Sequence, residues 1–276
     1  MSKVPADASN SAQIDYWNAA AGKTWAQHQD RLDRQIEPLG LEAIRALAPL
    51  AGERMLDVGC GCGQTTFELA ARVGVAGHVT GVDISAPMLA VAKTRSVPTD
   101  AAPPEFLQLD AQTADLGHGV YDAVFSRFGV MFFSDPTAAF ANLRRALTPN
   151  GRLAFVCWRP LQDNLWMRAP MEAALPFLPT PTPADPLAPG PFAFASADRI
   201  RSILSDAGFA EVTLHAFNTS IGGASLDQTV NLAFRVGPLG AVLREKPELR
   251  AAVSGYETPS GVLMPASVWI VRAQAS

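Results

Sequence analysis

The sequence predicts an α/β fold: a mostly parallel seven-stranded sheet with helices on both faces and a helical cap at its N-terminal end. Three observations carry this expectation. Short apolar runs that end in glycine or aspartate alternate with helical repeats through the first half of the chain, and a glycine-rich turn joins the first run to the first helix. Hydrophobic residues make up 48% of the 276 positions and charged residues 17%, which is enough apolar material to cover both faces of a sheet.

Each element follows in order. Residues 14–50 read as helical, with Ile36, Leu39, Ile44 and Leu47 close to one face and Pro49 and Gly52 as the stop. Residues 54–58 form an apolar strand halted by glycines, and residues 65–73 a helix. A second strand spans 78–83, with Ser85 as N-cap and Pro87 in the first turn of a helix over 88–94. Strands over 106–109 and 121–126 come next, then a helix opened by Asp135-Pro136. Pro149-Asn150-Gly151 reads as a stop before a fifth strand over 152–158.

Beyond Arg159 eight prolines, from Pro170 to Pro191, predict an extended connection rather than packed secondary structure. A helix over 196–207 ended by Gly208, a sixth strand over 211–217, a helical stretch over 226–253 broken at Gly237-Pro238 and a last strand over 266–271 complete the chain. The expected organisation is a helical cap at 1–50 and one sheet domain at 51–276, with lid insertions at 160–195 and 222–261.

Composition removes several function classes. The net charge is −4 and no stretch is dominated by Lys and Arg, so the electrostatic footprint of nucleic-acid binding is missing. Lys3, Asp7 and Asp15 interrupt the start of the chain, which reads neither as a signal peptide nor as a membrane span, and a cytoplasmic location is expected. Cys60, Cys62 and Cys157 read as reduced thiols, and no second Cys or His cluster completes a metal site, so no metal is expected.

The chemistry concentrates in Asp57-Val58-Gly59-Cys60-Gly61-Cys62-Gly63, between the first strand and the helix that starts near Thr65. Alternate glycines let the backbone approach a ligand, and the helix N-terminus offers unpaired N–H groups. Position 64 is Gln, so the dinucleotide spacing Gly-x-Gly-x-x-Gly is not met from Gly59, and Asp57 two residues earlier would repel a pyrophosphate but welcome an ammonium group. Asp83 ends the second strand 20 residues after Gly63, placed to accept hydrogen bonds from both ribose hydroxyls of an adenosine. Asp110 ends the third strand, placed for the adenine amine, with Ile84 and Met88 flanking the ring.

Together the segments LDVGCGCGQTT, GVDIS, LQLDAQ, YDAVFSRFGVMFF and LRRALTPNGRLAFVCW resemble the class I S-adenosylmethionine-dependent methyltransferases of the small-molecule type, close to the ubiquinone and menaquinone biosynthesis C-methyltransferase group. The resemblance covers about residues 55–158. It implies a Rossmann-like sheet of order 3-2-1-4-5-7-6 with the last strand antiparallel, and S-adenosylmethionine as cofactor. It also implies that Asp57, Gly59, Gly61 and Gly63, with Cys60 and Thr65 around them, hold the methionine end, Asp83 the ribose, and Asp110, Ala111 and Gln112 the adenine. Ser126, Arg127 and Phe128 would then close over the sulfonium.

Trp25, in the cap, is either a cofactor neighbour whose ring faces the cationic sulfur or a core residue anchoring the cap. His28 beside it is the candidate general base, or else a solvated helix residue. Arg127 reads as a positioning residue for the cap or as a substrate contact. Phe132, Trp158 and Trp166 are candidates for an acceptor pocket, or simply core aromatics. The expected partner is a small organic acceptor methylated at O, C or N, with the chain a monomer or homodimer. The alternatives are a non-catalytic S-adenosylmethionine-binding protein and a nicotinamide-dependent oxidoreductase.

Overall fold

The computed structural model describes residues 10–177, 185–233 and 247–275. Two helices, α1 (Ser11–Asn18) and α2 (Ala20–Leu47), lead into β1 (Arg54–Val58), α3 (Gln64–Val73), β2 (His78–Asp83), α4 (Ala86–Ala92), β3 (Glu105–Gln108), β4 (Tyr121–Arg127), α5 (Pro136–Ala146) and β5 (Leu147–Trp158). Then follow α6 (Leu165–Ala174), α7 (Ala197–Asp206), β6 (Phe209–Ala224), α8 (Leu226–Ala233), α9 (Pro247–Ser254), β7 (Glu257–Thr258) and β8 (Gly261–Ala275).

The strand order is β3-β2-β1-β4-β5-β8-β6, with the two-residue β7 paired to β8. β1 to β5 run parallel to one another, and β8 runs antiparallel to both β5 and β6. With β8 counted as the seventh long strand, this is the order that the resemblance implies. Met55, Leu56, Ala123, Val124, Phe125 and Phe155 have at most negligible exposure, so consecutive residues of the central strands are buried and both sheet faces are covered. The second half of α2 belongs to the same core through Leu39, Ala43, Ile44 and Leu47.

Several local readings change. The N-terminal helix is two helices, because the chain breaks at Ala19, where ψ is −141°. Ser85 occupies the N-cap of α4 but does not cap it; its hydroxyl donates to the Trp17 carbonyl at 2.7 Å, stitching the α1–α2 junction to the end of β2. Pro149-Asn150-Gly151 does not stop the chain: it forms a bulge within β5, with the register shifting between Tyr121 and Ala123 and Asn150 at φ 64°.

The connection after Arg159 is not wholly extended. Pro176 and the later prolines fall after α6, and Pro170 alone lies inside it, where it forgoes one hydrogen bond. The prolines at 179, 181 and 183, like the break at Gly237-Pro238, lie outside the described residues. β6 and β8 are 16 and 15 residues long, far longer than the predicted strands, since a register shift between Gly222 and Ala224 absorbs the glycines of β6. No helix among the described residues is long and apolar enough to cross a membrane.

One junction fixes the turn after β1. Asp57 is fully buried, and its Oδ2 accepts hydrogen bonds from the Thr65 hydroxyl at 2.8 Å and the Thr66 hydroxyl at 2.7 Å, tying the strand end to the first turn of α3. Its Oδ1 has no hydrogen-bond partner among the described residues. Burial pushes the carboxyl from 3.8 up to about 6, against the threonine hydrogen bonds and the Arg127 charge, which pull it down.

Two outcomes are expected. The Asp135 side chain accepts from the Ala138 N–H at 3.0 Å at the start of α5, so Asp135→Ala should lower stability by about 1 kcal/mol in urea unfolding with an unchanged m-value. Because native Asp57 holds its proton to higher pH than the unfolded chain, its favourable contribution is full below about pH 4 and is lost as pH rises through about 6. Relative to wild type, Asp57→Asn should therefore gain stability on the order of 3 kcal/mol between pH 4 and pH 7; a difference that is flat across that range contradicts the assignment.

Candidate functional site

The carboxyl ends of β1 to β4 open on one cavity of about 940 Å³, the place where open α/β sheets bind ligands. Its floor is the glycine turn. The N–H groups of Gly59 and Cys60 both donate to the Val82 carbonyl, at 2.8 and 3.1 Å, which locks the turn to β2. Gly59 has φ 67°, and a Cβ there would lie 2.7 Å from the Gly129 Cα, so backbone packs on backbone just beyond β4. Gly61 has φ 55°, and a Cβ there would meet only the Met88 methyl, at 2.8 Å, leaving this part of the turn bare towards the cavity.

Asp83 sits against that turn. Its Oδ2 accepts from the Gly61 N–H and its Oδ1 from the Ser85 N–H, each at 2.8 Å. Burial raises its carboxyl above the usual range, while backbone hydrogen bonds from Ser85, Gly61 and Ile84 oppose the shift. Asp110 is buried; its Oδ1 accepts from the Gln112 N–H at 3.0 Å and its Oδ2 from the Asn10 side-chain amide at 2.7 Å. An amide NH₂ of the cap thus occupies one of the positions that the sequence reading reserved for an adenine amine.

Most of the anticipated residues line this one cavity. Gly59, Cys60, Gly61 and Thr65 do so from the turn, Asp83, Ile84 and Met88 from the end of β2, and Asp110 and Ala111 from the end of β3. Trp25, Arg127, Phe128, Phe132, Trp158 and Trp166 line it as well. Phe128 has φ 63° and stacks on Trp158 with ring centroids 4.3 Å apart and planes at 11°, and Trp158 contacts Trp166 at 4.8 Å. Cys60 and Cys62 are buried free thiols, and burial pushes Cys62 up to about 12, so it stays protonated.

Five anticipated residues lie off the cavity wall. Asp57 is behind the turn, held by the two threonines, and does not converge with Asp83 and Asp110 as expected. Ser126 is fully buried and donates to the Val58 carbonyl at 2.7 Å, bracing β4 against β1 rather than facing a ligand. The Gln112 side-chain oxygen accepts from Ser134 Oγ at 3.2 Å and the Asp135 N–H at 3.0 Å, bracing the start of α5 rather than lining the cavity, and its backbone N–H holds Asp110. Gly63 packs on Ala92 and Phe106. His28 does not reach the cavity, and its Nε2 is enclosed by protein, so it offers no open base there.

The cap supplies what the sequence reading missed. Trp17 stands edge-on to Trp25 at 6.1 Å and to Phe132 at 5.1 Å. The Asn18 amide donates to the Ile84 carbonyl at 2.9 Å and its Oδ1 accepts from the Ala86 N–H at 3.0 Å. Asp33, on α2, pairs with Arg127 at 3.0 Å and with Arg95, while the remaining Arg127 N–H groups include one that donates to Gln64. Arg31 and Asp33 both line the cavity. A charged pattern on the buried face of α2 was the available signal: Arg31 and Asp33 sit between the apolar positions Trp25, Leu32 and Ile36.

Residues 56–155 match the family described as a methyltransferase domain. An uncharacterized methyltransferase of Mycobacterium tuberculosis is 38% identical over 125 residues, 45% of this chain and 60% of that protein. A demethylmenaquinone methyltransferase of Clavibacter sepedonicus is 37% identical over 109 residues, 40% of this chain and 42% of that protein. The matches thus span less than two thirds of these relatives. Among solved structures, the Haemonchus contortus phosphoethanolamine N-methyltransferase 2 in complex with S-adenosyl-L-methionine superposes with a TM-score of 0.59 at 18% identity, covering 98% of this chain and 60% of that one. Residues 56–155 are thus similar to the methyltransferase-domain family, and the sheet built around them shares its fold with that solved methyltransferase.

Proposed function

We propose that the chain is an S-adenosylmethionine-dependent methyltransferase acting on a small, largely apolar organic acceptor. The observation that carries this reading is the division of one cavity into two halves of opposite chemistry. The part over β1 to β3 holds the bare glycine turn with Asp83 and Asp110, whereas the elements from the end of β5 onward line the cavity with Trp158, Trp166, Met171, Phe192, Leu232 and Met264, a mainly apolar set that Thr229 interrupts.

The donor set of the first half fits an adenosine bearing an amino-acid tail. Each Asp83 oxygen already accepts one backbone N–H and keeps lone pairs for the ribose hydroxyls. Ile84, Met88 and Ala111 offer apolar faces to a purine beside Asp110. The bare turn at Gly61 gives backbone access to the tail, and the Trp17 and Trp25 rings suit a cationic sulfur.

S-adenosylmethionine, when bound, supplies an activated methyl group. The chain has to align acceptor and methyl and to exclude water, a contribution that is large when reacting atoms are held in line. Among the described residues that wall the apolar half there is no Asp, Glu, His, Lys or Arg. Such a wall suits an acceptor whose nucleophilic atom ionises by itself or loses its proton to water, such as an acidic phenol or enol.

Calorimetric titration with S-adenosylhomocysteine should give micromolar binding, about −8 kcal/mol; no heat from folded protein contradicts the reading. Asp83→Ala should weaken that binding by one or two charge-assisted hydrogen bonds, roughly 1.5 to 3 kcal/mol each. Unchanged affinity in that variant removes Asp83 from the ribose position.

A further inference from the structure

Where β4 meets the glycine turn, three charged side chains from distant parts of the chain share one buried knot. Asp33 of α2 is 7% exposed at its side chain and Arg127, at the end of β4, is 9% exposed. Arg95, just past α4, is 26% exposed and pairs with the other Asp33 oxygen. Arg95 also donates to the Cys62 carbonyl at 2.5 Å, so the knot holds the glycine turn itself. Gly40 on α2 leaves room for it: a Cβ there would lie 2.9 Å from the Arg127 Cδ.

Asp33 is the carboxylate in direct contact with both guanidiniums, while the buried Asp57 interacts with Arg127 without an ion-pair contact, and both Asp33 and Arg127 line the cavity beside Cys62 and Thr65. Without the Asp33 charge, two guanidiniums, that of Arg127 nine-tenths buried, would stand side by side at the edge of the crevice. A cation arriving in that crevice would meet their combined field. A neutral ligand of the same shape would not.

We propose that Asp33 is a positioning residue that neutralises the Arg95–Arg127 pair beside the glycine turn and thereby allows the cavity to accept a ligand carrying a sulfonium. This rests on the reading that S-adenosylmethionine is the cofactor. It assigns a role to Asp33 and Arg95 that is separate from holding the ribose or adenine. Because the knot clamps α2, Cys62 and β4 together, the same residue couples cap position to cofactor charge.

The test compares two ligands that differ in the charge on sulfur, S-adenosylmethionine and S-adenosylhomocysteine, by calorimetry on the full chain. Asp33→Asn keeps the side-chain shape and removes the charge, so the ratio of the two dissociation constants should move against S-adenosylmethionine by about fivefold or more. Asp33→Glu should restore most of that ratio. Arg95→Gln removes a neighbouring cation and should shift the ratio in the opposite direction, which keeps the test decisive if Asp33→Asn fails to fold. Equal weakening of both ligands in Asp33→Asn would mean a structural role only and overturn the proposal, as would an unchanged ratio in Arg95→Gln. If wild-type protein binds neither ligand, the cofactor reading itself fails, an outcome distinct from either.

Discussion

Close packing of backbone on backbone at Gly59 governs the geometry of the crevice. The Gly59 Cα approaches the Gly129 backbone with no room for a side chain, while Gly59 and Cys60 both donate to the Val82 carbonyl. The ends of β1, β2 and β4 are therefore fixed relative to one another before any ligand is considered. Asp83 follows from that junction, because its Oδ2 is oriented by the Gly61 N–H. Phe128, held in a left-handed conformation between β4 and Gly129, turns its ring onto Trp158 and so begins the apolar wall.

The cap closes the arrangement by polar contacts that leave the sheet undisturbed. Asn10 reaches Asp110, Asn18 bridges Ile84 and Ala86, Ser85 reaches Trp17, and Asp33 reaches Arg95 and Arg127. All of these pairs but Asp33–Arg95, whose arginine follows α4, lie at the carboxyl end of a strand, so α1 and α2 sit over the mouth of the same crevice. Among the described residues, the wall built by α6, α8, α9 and the long β6 and β8 strands carries no charged side chain and is apolar apart from Thr229. This separation follows from the fold: strand ends and turns carry polar groups, whereas the extended antiparallel pair beyond them exposes alternating apolar side chains.

Sequence alone made the parallel half legible because its signals are local. β1, β2 and β4 are apolar runs closed by turn residues, and the Gly59 to Gly63 spacing with Asp83 and Asp110 at later strand ends identifies the crevice. Asp57 misled because an acid beside a glycine turn looks the same in sequence whether it faces the ligand or the helix behind; only its threonine partners decide. Asp33, Arg95 and Asn10 escaped notice because their partners lie 62 to 100 residues away, and no periodicity encodes such contacts. The lengths of β6 and β8 were hidden because Gly222, Gly223 and Pro265 belong to residue types that seldom lie within strands, whereas here they sit in the ladder between the edge strand β6 and β8, which absorbs them with a register shift.

The central claim is that the Gly59 to Gly61 turn and the carboxylates of Asp83 and Asp110 form one adenosine site. A crystal structure of the complex with S-adenosylhomocysteine tests this most directly. The account predicts ribose hydroxyls within hydrogen-bond distance of the Asp83 oxygens and a purine between Ile84 and Asp110. Ligand density in the apolar half alone, or an Asp83 still bonded only to the Gly61 and Ser85 N–H groups with the nucleoside elsewhere, would contradict it.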